Sequence, residues 1–175
     1  MILIVDRWQW SLLSCALTYI AAFLIMIQFW TFSFSLVKLV SGLMSLVVLG
    51  LSINKRLRVT VVRSKAEQVF RLVAFTLILL IMVFLTGKVL ESLSIPLEIV
   101  LASFVMIGFG VFQLGISQEP FRVIVAILIL FLGFELIFST NETSLLVNGL
   151  LSLITLLIAF IGGYVIVNEF ESSEE

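Results

Sequence analysis

Residues 69–90 read VFRLVAFTLILLIMVFLTGKVL, and between Arg71 and Lys88 this stretch carries no charged side chain. An α-helix rises about 1.5 Å per residue, so about 20 apolar residues cross the roughly 30 Å hydrocarbon core of a bilayer. A run of this length is read as a membrane-spanning helix. Similar runs recur on both sides of it, at approximately 11–30, 32–53, 95–117, 121–139 and 144–167. The expected fold is therefore all-α: a polytopic integral membrane protein with six transmembrane helices in an antiparallel bundle, residues 1–175 forming a single membrane domain. Composition agrees. The chain is 62% hydrophobic and 12% charged, with a mean hydropathy of +1.29, whereas soluble domains are about 25% charged. Four connections are very short, which predicts that the helices they join are antiparallel neighbours in space.

The orientation follows from lysine and arginine. The polar break at 54–68 contains NKRLRVTVVRSK, with Lys55, Arg56, Arg58, Arg63 and Lys65. Arg7 precedes the first span, Arg71 follows the break and Arg122 opens the fifth span. With six spans all of these fall on one side, and the positive-inside rule makes that side cytoplasmic. Both termini are then cytoplasmic, including the acidic tail at 168–175, and the membrane is a bacterial-type cell (inner) membrane. The connections near Thr31, Glu91 and Asn141 lie outside and contain no arginine. The first apolar stretch is longer than a typical signal core and is kept as a span. Trp8, Trp10 and Trp30 fit anchors at the two interfaces of that helix. The basic break has two readings: topology with attraction to anionic lipid, or docking of an acidic cytoplasmic partner.

Several classes of chemistry lack residues. The chain has no histidine and one cysteine, Cys15, so it offers no histidine ligand or base and no internal disulfide. No GxGxxG or GxxxxGK[ST] motif occurs. No cofactor, metal site, catalytic residue or nucleic-acid partner is expected, and the chain is not expected to be an enzyme on its own. A subunit of an oxidoreductase or antiporter complex remains an open description.

Within the spans, Lys38, Lys88, Glu98 and Glu135 call for an explanation. By helical rise, Lys38 lies roughly 9 Å below the outer end of the second span and Glu135 about 6 Å below the outer end of the fifth. Asn148 sits at similar depth in the sixth, and Lys88 and Glu98 lie near the outer surface. A charge in hydrocarbon costs roughly 2.5–3.5 kcal/mol or more, so each must meet protein, water or a partner charge. Lys88 and Glu98 reach the interface by snorkelling. Lys38 and Glu135 are deeper and have two readings, a static buried ion pair or a proton-accessible site. All five residues are candidates for a proton path. Gly108, Gly110 and Gly115 in GFGVFQLG, and Gly162 and Gly163, are expected to allow close helix packing.

One region resembles a known family. Residues 108–139 read GFGVFQLGISQEPFRVIVAILILFLGFELIFS, and residues 148–166 read NGLLSLITLLIAFIGGYVI. This resembles the three-helix K-type subunit of complex I and its relatives in membrane-bound hydrogenases and cation/proton antiporters. There a polar inner loop precedes a helix bearing G-x-E-L, here SQEPFR and then Gly133, Phe134, Glu135 and Leu136. The stretch WTFSFSLVKLVSGLMS is similar to small bacterial membrane proteins that accompany such complexes. The resemblance implies that Glu135 belongs to a buried polar axis that carries protons across a membrane arm, completed by other integral membrane subunits, antiporter-like ones among them. In place of the family's further glutamate in the last helix this chain has Asn148, and Ser139 stands where an asparagine usually follows G-x-E-L.

Three functions are thus expected in competition. The first is a non-catalytic accessory subunit of a proton- or cation-translocating, complex I-like membrane complex. The second is the substrate-binding membrane subunit of a small-molecule importer, with Trp30, Lys38, Glu98, Glu135 and Asn148 around an outer pocket. The third is a structural or assembly protein whose charges only pair with each other.

Overall fold

The computed structural model describes residues 8–53, 65–92, 95–141 and 144–172. Among the described residues there are six α-helices: α1 (Trp8–Phe29), α2 (Phe32–Ser52), α3 (Lys65–Ser92), α4 (Leu97–Ile116), α5 (Pro120–Asn141) and α6 (Leu145–Ser172). No strand occurs among the described residues. All six helices are long and apolar enough to cross a membrane, their apolar parts being Ser11–Phe29, Phe32–Ser52, Val69–Leu90, Leu97–Ile116, Pro120–Thr140 and Leu145–Asn168. The spans read from the sequence coincide with these to within a few residues. α3 and α6 continue as helix beyond their apolar parts, α3 from Lys65 and α6 to Ser172. Lys55, Arg56, Arg58 and Arg63 lie outside the described residues, as do Arg7 and the end of the acidic tail; Lys65 opens α3. Both prolines stand at helix starts, Pro96 as the N-cap of α4 and Pro120 as the first residue of α5. There a missing N–H leaves no helical hydrogen bond unmade.

The chain runs up and down. Gly42 of α2 packs on the ring of Tyr19 in α1, while Gly50 meets Leu12, so these two helices are antiparallel. The same crossed order joins α3 to α4, α4 to α5 and α5 to α6. Each helix across a short connection therefore packs on its sequence neighbour, as expected. α2 and α3, separated by the basic break, do not share such an interface; α2 packs on α6 instead. Their contacts run in parallel register, Ser45 to Thr155 and Ser52 to Gly163. We call the end of the bundle with the α1–α2, α3–α4 and α5–α6 connections the upper end.

α5 is the centre. More than half of its spanning residues are buried, whereas hardly any residue of the α3 span is fully buried, and α3 packs mainly against α4. The α5 residues Val125, Leu128, Ile129, Leu132 and Leu136 form one apolar core with Cys15, Tyr19, Ala22 and Met26 of α1 and Leu46 and Leu49 of α2. The tightest seam is α4 against α5. A Cβ at Gly110 would lie 2.9 Å from the Ala126 carbonyl, and one at Gly133 would lie 2.8 Å from the Ser103 carbonyl. Those backbones touch only because neither position has a side chain. Gly108 and Gly162 are closed in by Met82 and Ile124 respectively, and Gly163 by Ser52. Gly115 departs from the expectation, because a Cβ there would meet nothing within 4 Å. The exposed residues of the bundle are mostly large and apolar, including Leu72, Leu80 and Phe84 of α3 and Leu146 and Phe160 of α6. This surface suits hydrocarbon rather than water.

Candidate functional site

Glu135 projects from the face of α5 opposite to the glycine seam. Two residues along a helix turn the side chain by about 200°, so Gly133 presses against α4 while Glu135 points toward α2 and α6. There it meets Lys38. The Lys38 ammonium donates to Glu135 Oε1 at 2.6 Å, and the two side chains are 5% and 2% exposed. The Thr155 hydroxyl of α6 donates to the same oxygen at 3.3 Å. Three helices thus converge on one carboxylate. The sequence left open whether Lys38 and Glu135 touch; in the fold they do. The arrangement places no net charge in an apolar interior. Removing either partner would leave a buried charge alone, which costs far more than the pair.

A stripe of hydroxyls continues the polar line. Ser41 donates to the Lys38 carbonyl at 3.0 Å and Ser45 to the Ser41 carbonyl at 2.8 Å. Ser103, Ser152 and Thr155 bond carbonyls one turn back in their own helices. This is how a serine or threonine inside a membrane helix satisfies itself. One turn above Glu135, the Ser139 hydroxyl donates to Asn148 Oδ1 at 3.1 Å, and the Asn148 amide donates to the Ser144 carbonyl at 3.2 Å. Ser139 of α5 and Asn148 of α6 are therefore bonded to each other.

Above the pair lies a cavity of about 280 Å³. Ser35, Lys38, Ser139 and Asn148 give it polar lining, Phe29, Trp30 and Phe34 an aromatic wall, and Met26 and Thr31 complete it. Phe29 at the end of α1 and Thr31 in the α1–α2 connection are both exposed at the upper end, so the cavity reaches that surface. Trp30 is half-buried and faces this space. The side chains of Trp8 and Trp10 lie outside the described residues. Ser35 is 1% exposed and its hydroxyl makes no hydrogen bond. Ser11 and Tyr19 are the other two buried hydroxyls in that condition among the described residues.

Lys88 and Glu98 do not join this constellation. Both are exposed on the outside of the bundle near its upper end. The Lys88 ammonium lies 5.5 Å from the centre of the Phe84 ring, and Glu98 stands in the first turn of α4. Toward the lower end of α5, Arg122 pairs with Glu119 at 2.7 Å. Among the described residues no group of three or more acidic, cysteine or histidine side chains is placed to hold a metal ion.

Ser35, Ser45 and Thr155 are site residues that the sequence reading passed over. Their signal was spacing. Ser35, Lys38, Ser41 and Ser45 recur every three or four residues on α2, and Asn148, Ser152 and Thr155 do so on α6. Each set marks one helix face. No protein-family model, curated protein or solved structure matches the chain, so the site stands on its own geometry.

Proposed function

We propose that this chain is a non-catalytic accessory subunit of a proton- or cation-translocating membrane complex, and that Lys38 and Glu135 are its contribution to the path. The observation that carries this reading is the 2.6 Å ion pair, buried between helices and reached from one end by a cavity that Lys38 lines. A carboxylate facing a single ammonium in a buried site forms a coupled element. A proton gained by Glu135 removes the counter-charge of Lys38, so protonation at one residue is tied to charge at the other. Intramembrane ionisable groups of this kind mark proton relays and ion paths. Under the positive-inside orientation the cavity opens to the outside, and the pair exchanges protons with that side.

The lower half of the bundle supports a partner role rather than a complete channel. Below Glu135, α5 presents the buried Leu132, Leu128 and Val125, and α2 presents Leu46 and Leu49. The Ser45 hydroxyl at that depth is already bonded to the Ser41 carbonyl. A path continuing from Glu135 needs groups from a neighbouring subunit, in keeping with the resemblance of GFEL to the K-type motif. The test is purification from the native membrane in mild detergent, followed by identification of what accompanies the chain. Antiporter-like subunits are the expected result. An ATPase partner, or a lone chain carrying a small molecule, would overturn this reading in favour of an importer.

A further inference from the structure

We propose that the upper cavity binds an uncharged aromatic molecule with one hydrogen-bond acceptor, of the aryl ketone kind. This goes beyond a proton path, because it holds whether or not the Lys38–Glu135 pair passes protons.

The charge of the site comes first. Lys38 is the charged residue on the cavity lining, and Glu135 neutralises it at 2.6 Å. The floor of the cavity is therefore polar but carries no net charge. An ion entering from water would lose its hydration and meet no free counter-charge. The occupant that fits is neutral.

The walls and the size define its body. Met26, Phe29, Trp30 and Phe34 give the cavity its apolar walls. A buried water needs two to four polar partners, and these side chains supply none to the upper part of the space. At the floor, Ser139 and Asn148 are bonded to each other. An apolar cavity of about 150 Å³ holds benzene, and this one measures about 280 Å³. A single ring with a short substituent fills it. Rings gain from offset and edge-to-face contact with other rings beyond the area they bury, which favours an aromatic occupant over an acyl chain.

The acceptor follows from Lys38. An ammonium has three N–H donors, and the bond to Glu135 Oε1 uses one. The other two meet no acceptor among the described residues. A buried donor left without an acceptor is costly. The Lys38 side chain keeps 5% of its surface accessible and lines the cavity, so the missing acceptor has room to arrive from that side. A carbonyl oxygen supplies it and leaves the charge balance of the pair intact. A carboxylate would compete with Glu135 for the same ammonium and bury one negative charge in excess.

Trp30 reports on the site directly. In detergent-purified chain carrying W8F and W10F, Trp30 is the remaining tryptophan. It is labelled as fluorotryptophan, and its fluorine resonance is titrated with acetophenone, with ethylbenzene, which has a similar shape without the oxygen, and with benzoate. Concentrations are compared as those reached in the micelle. The expected result is a saturable shift, with half-saturation by acetophenone at least threefold below ethylbenzene and at least tenfold below benzoate. Phe34→Ala, which removes part of the wall, should weaken acetophenone at least threefold. In the Lys38→Met, Glu135→Leu chain, which loses the donor and keeps the walls, the preference for acetophenone over ethylbenzene should disappear. No saturable shift, equal half-saturation by acetophenone and ethylbenzene in the parent, benzoate binding as well as acetophenone, indifference to Phe34→Ala, or a preference that survives in the double variant would overturn the proposal. None of these results bears on proton flux through Glu135, which is measured separately.

Discussion

Lys38 on α2 and Glu135 on α5 lie 97 residues apart in the chain and meet at 2.6 Å in the interior of the bundle. Breaking one side of such a pair leaves an uncompensated buried charge and costs about 3–5 kcal/mol, whereas an apolar replacement of both is often neutral. Lys38→Met should therefore destabilise the protein strongly, and the double change with Glu135→Leu should recover most of the loss. Unfolding in mild detergent, followed by circular dichroism, measures the cycle. Additive losses would show that the two side chains do not interact.

Thr155 is the third member of the cluster. Its single hydroxyl proton is shared between Glu135 Oε1 and the Leu151 carbonyl. Thr155→Val keeps the shape and removes the hydroxyl, at an expected cost of about 1 kcal/mol or somewhat more. Thr155→Ser should restore much of it. In the Lys38→Met, Glu135→Leu background the cost of Thr155→Val should shrink, because its charged acceptor is gone. The same unfolding measurement tests all three.

The α4–α5 seam gives a prediction about glycines. A methyl group at Gly133 would lie 2.8 Å from a backbone oxygen, and one at Gly110 would lie 2.9 Å from another. Backbone cannot rotate aside, so Gly133→Ala and Gly110→Ala should each cost about 1–3 kcal/mol. Gly115→Ala meets open space and should be neutral, or stabilise by up to about 1 kcal/mol through helix propensity. Equal effects at all three positions in detergent unfolding would contradict the seam.

Lys88 and Glu98 are exposed on the outside of the bundle, away from the pair. Lys88→Met should cost no more than about 0.5–1 kcal/mol, the worth of its contact with Phe84. Glu98→Gln should stay within about 0.5 kcal/mol of the parent. Neither change should alter proton movement by the assembled complex. A large transport defect from either would show that the path runs over this outer face.

Much of the fold was legible in the sequence because the bilayer leaves few options. Runs such as Leu72–Gly87 have to be helices, since a lipid-facing backbone must satisfy its own hydrogen bonds. The short connections then dictate which neighbours are antiparallel. The α2–α6 interface was not legible, because no short connection joins those helices and their apolar residues look alike from every side. At the site, the charges were visible as exceptions within apolar runs, and their depths followed from helical rise. Their contact was not visible, since depth fixes height in the membrane but not the direction a side chain faces. The polar stripes on α2 and α6 held that missing information. Ser35, Lys38, Ser41 and Ser45 mark the inward face of α2 as clearly as any apolar pattern would.

The proposed role of Glu135 is in translocation, beyond that of a partner in a structural ion pair. The direct measurement is proton flux under an imposed potential, in proteoliposomes holding the chain with the subunits that co-purify with it. Glu135→Gln is compared with the parent after equal insertion and assembly have been verified, and Glu135→Asp serves as the variant that keeps the charge. At least a tenfold loss of flux is expected for the glutamine variant, and partial retention for the aspartate. Unchanged flux in an assembled Glu135→Gln complex would contradict it and reduce the pair to a structural element.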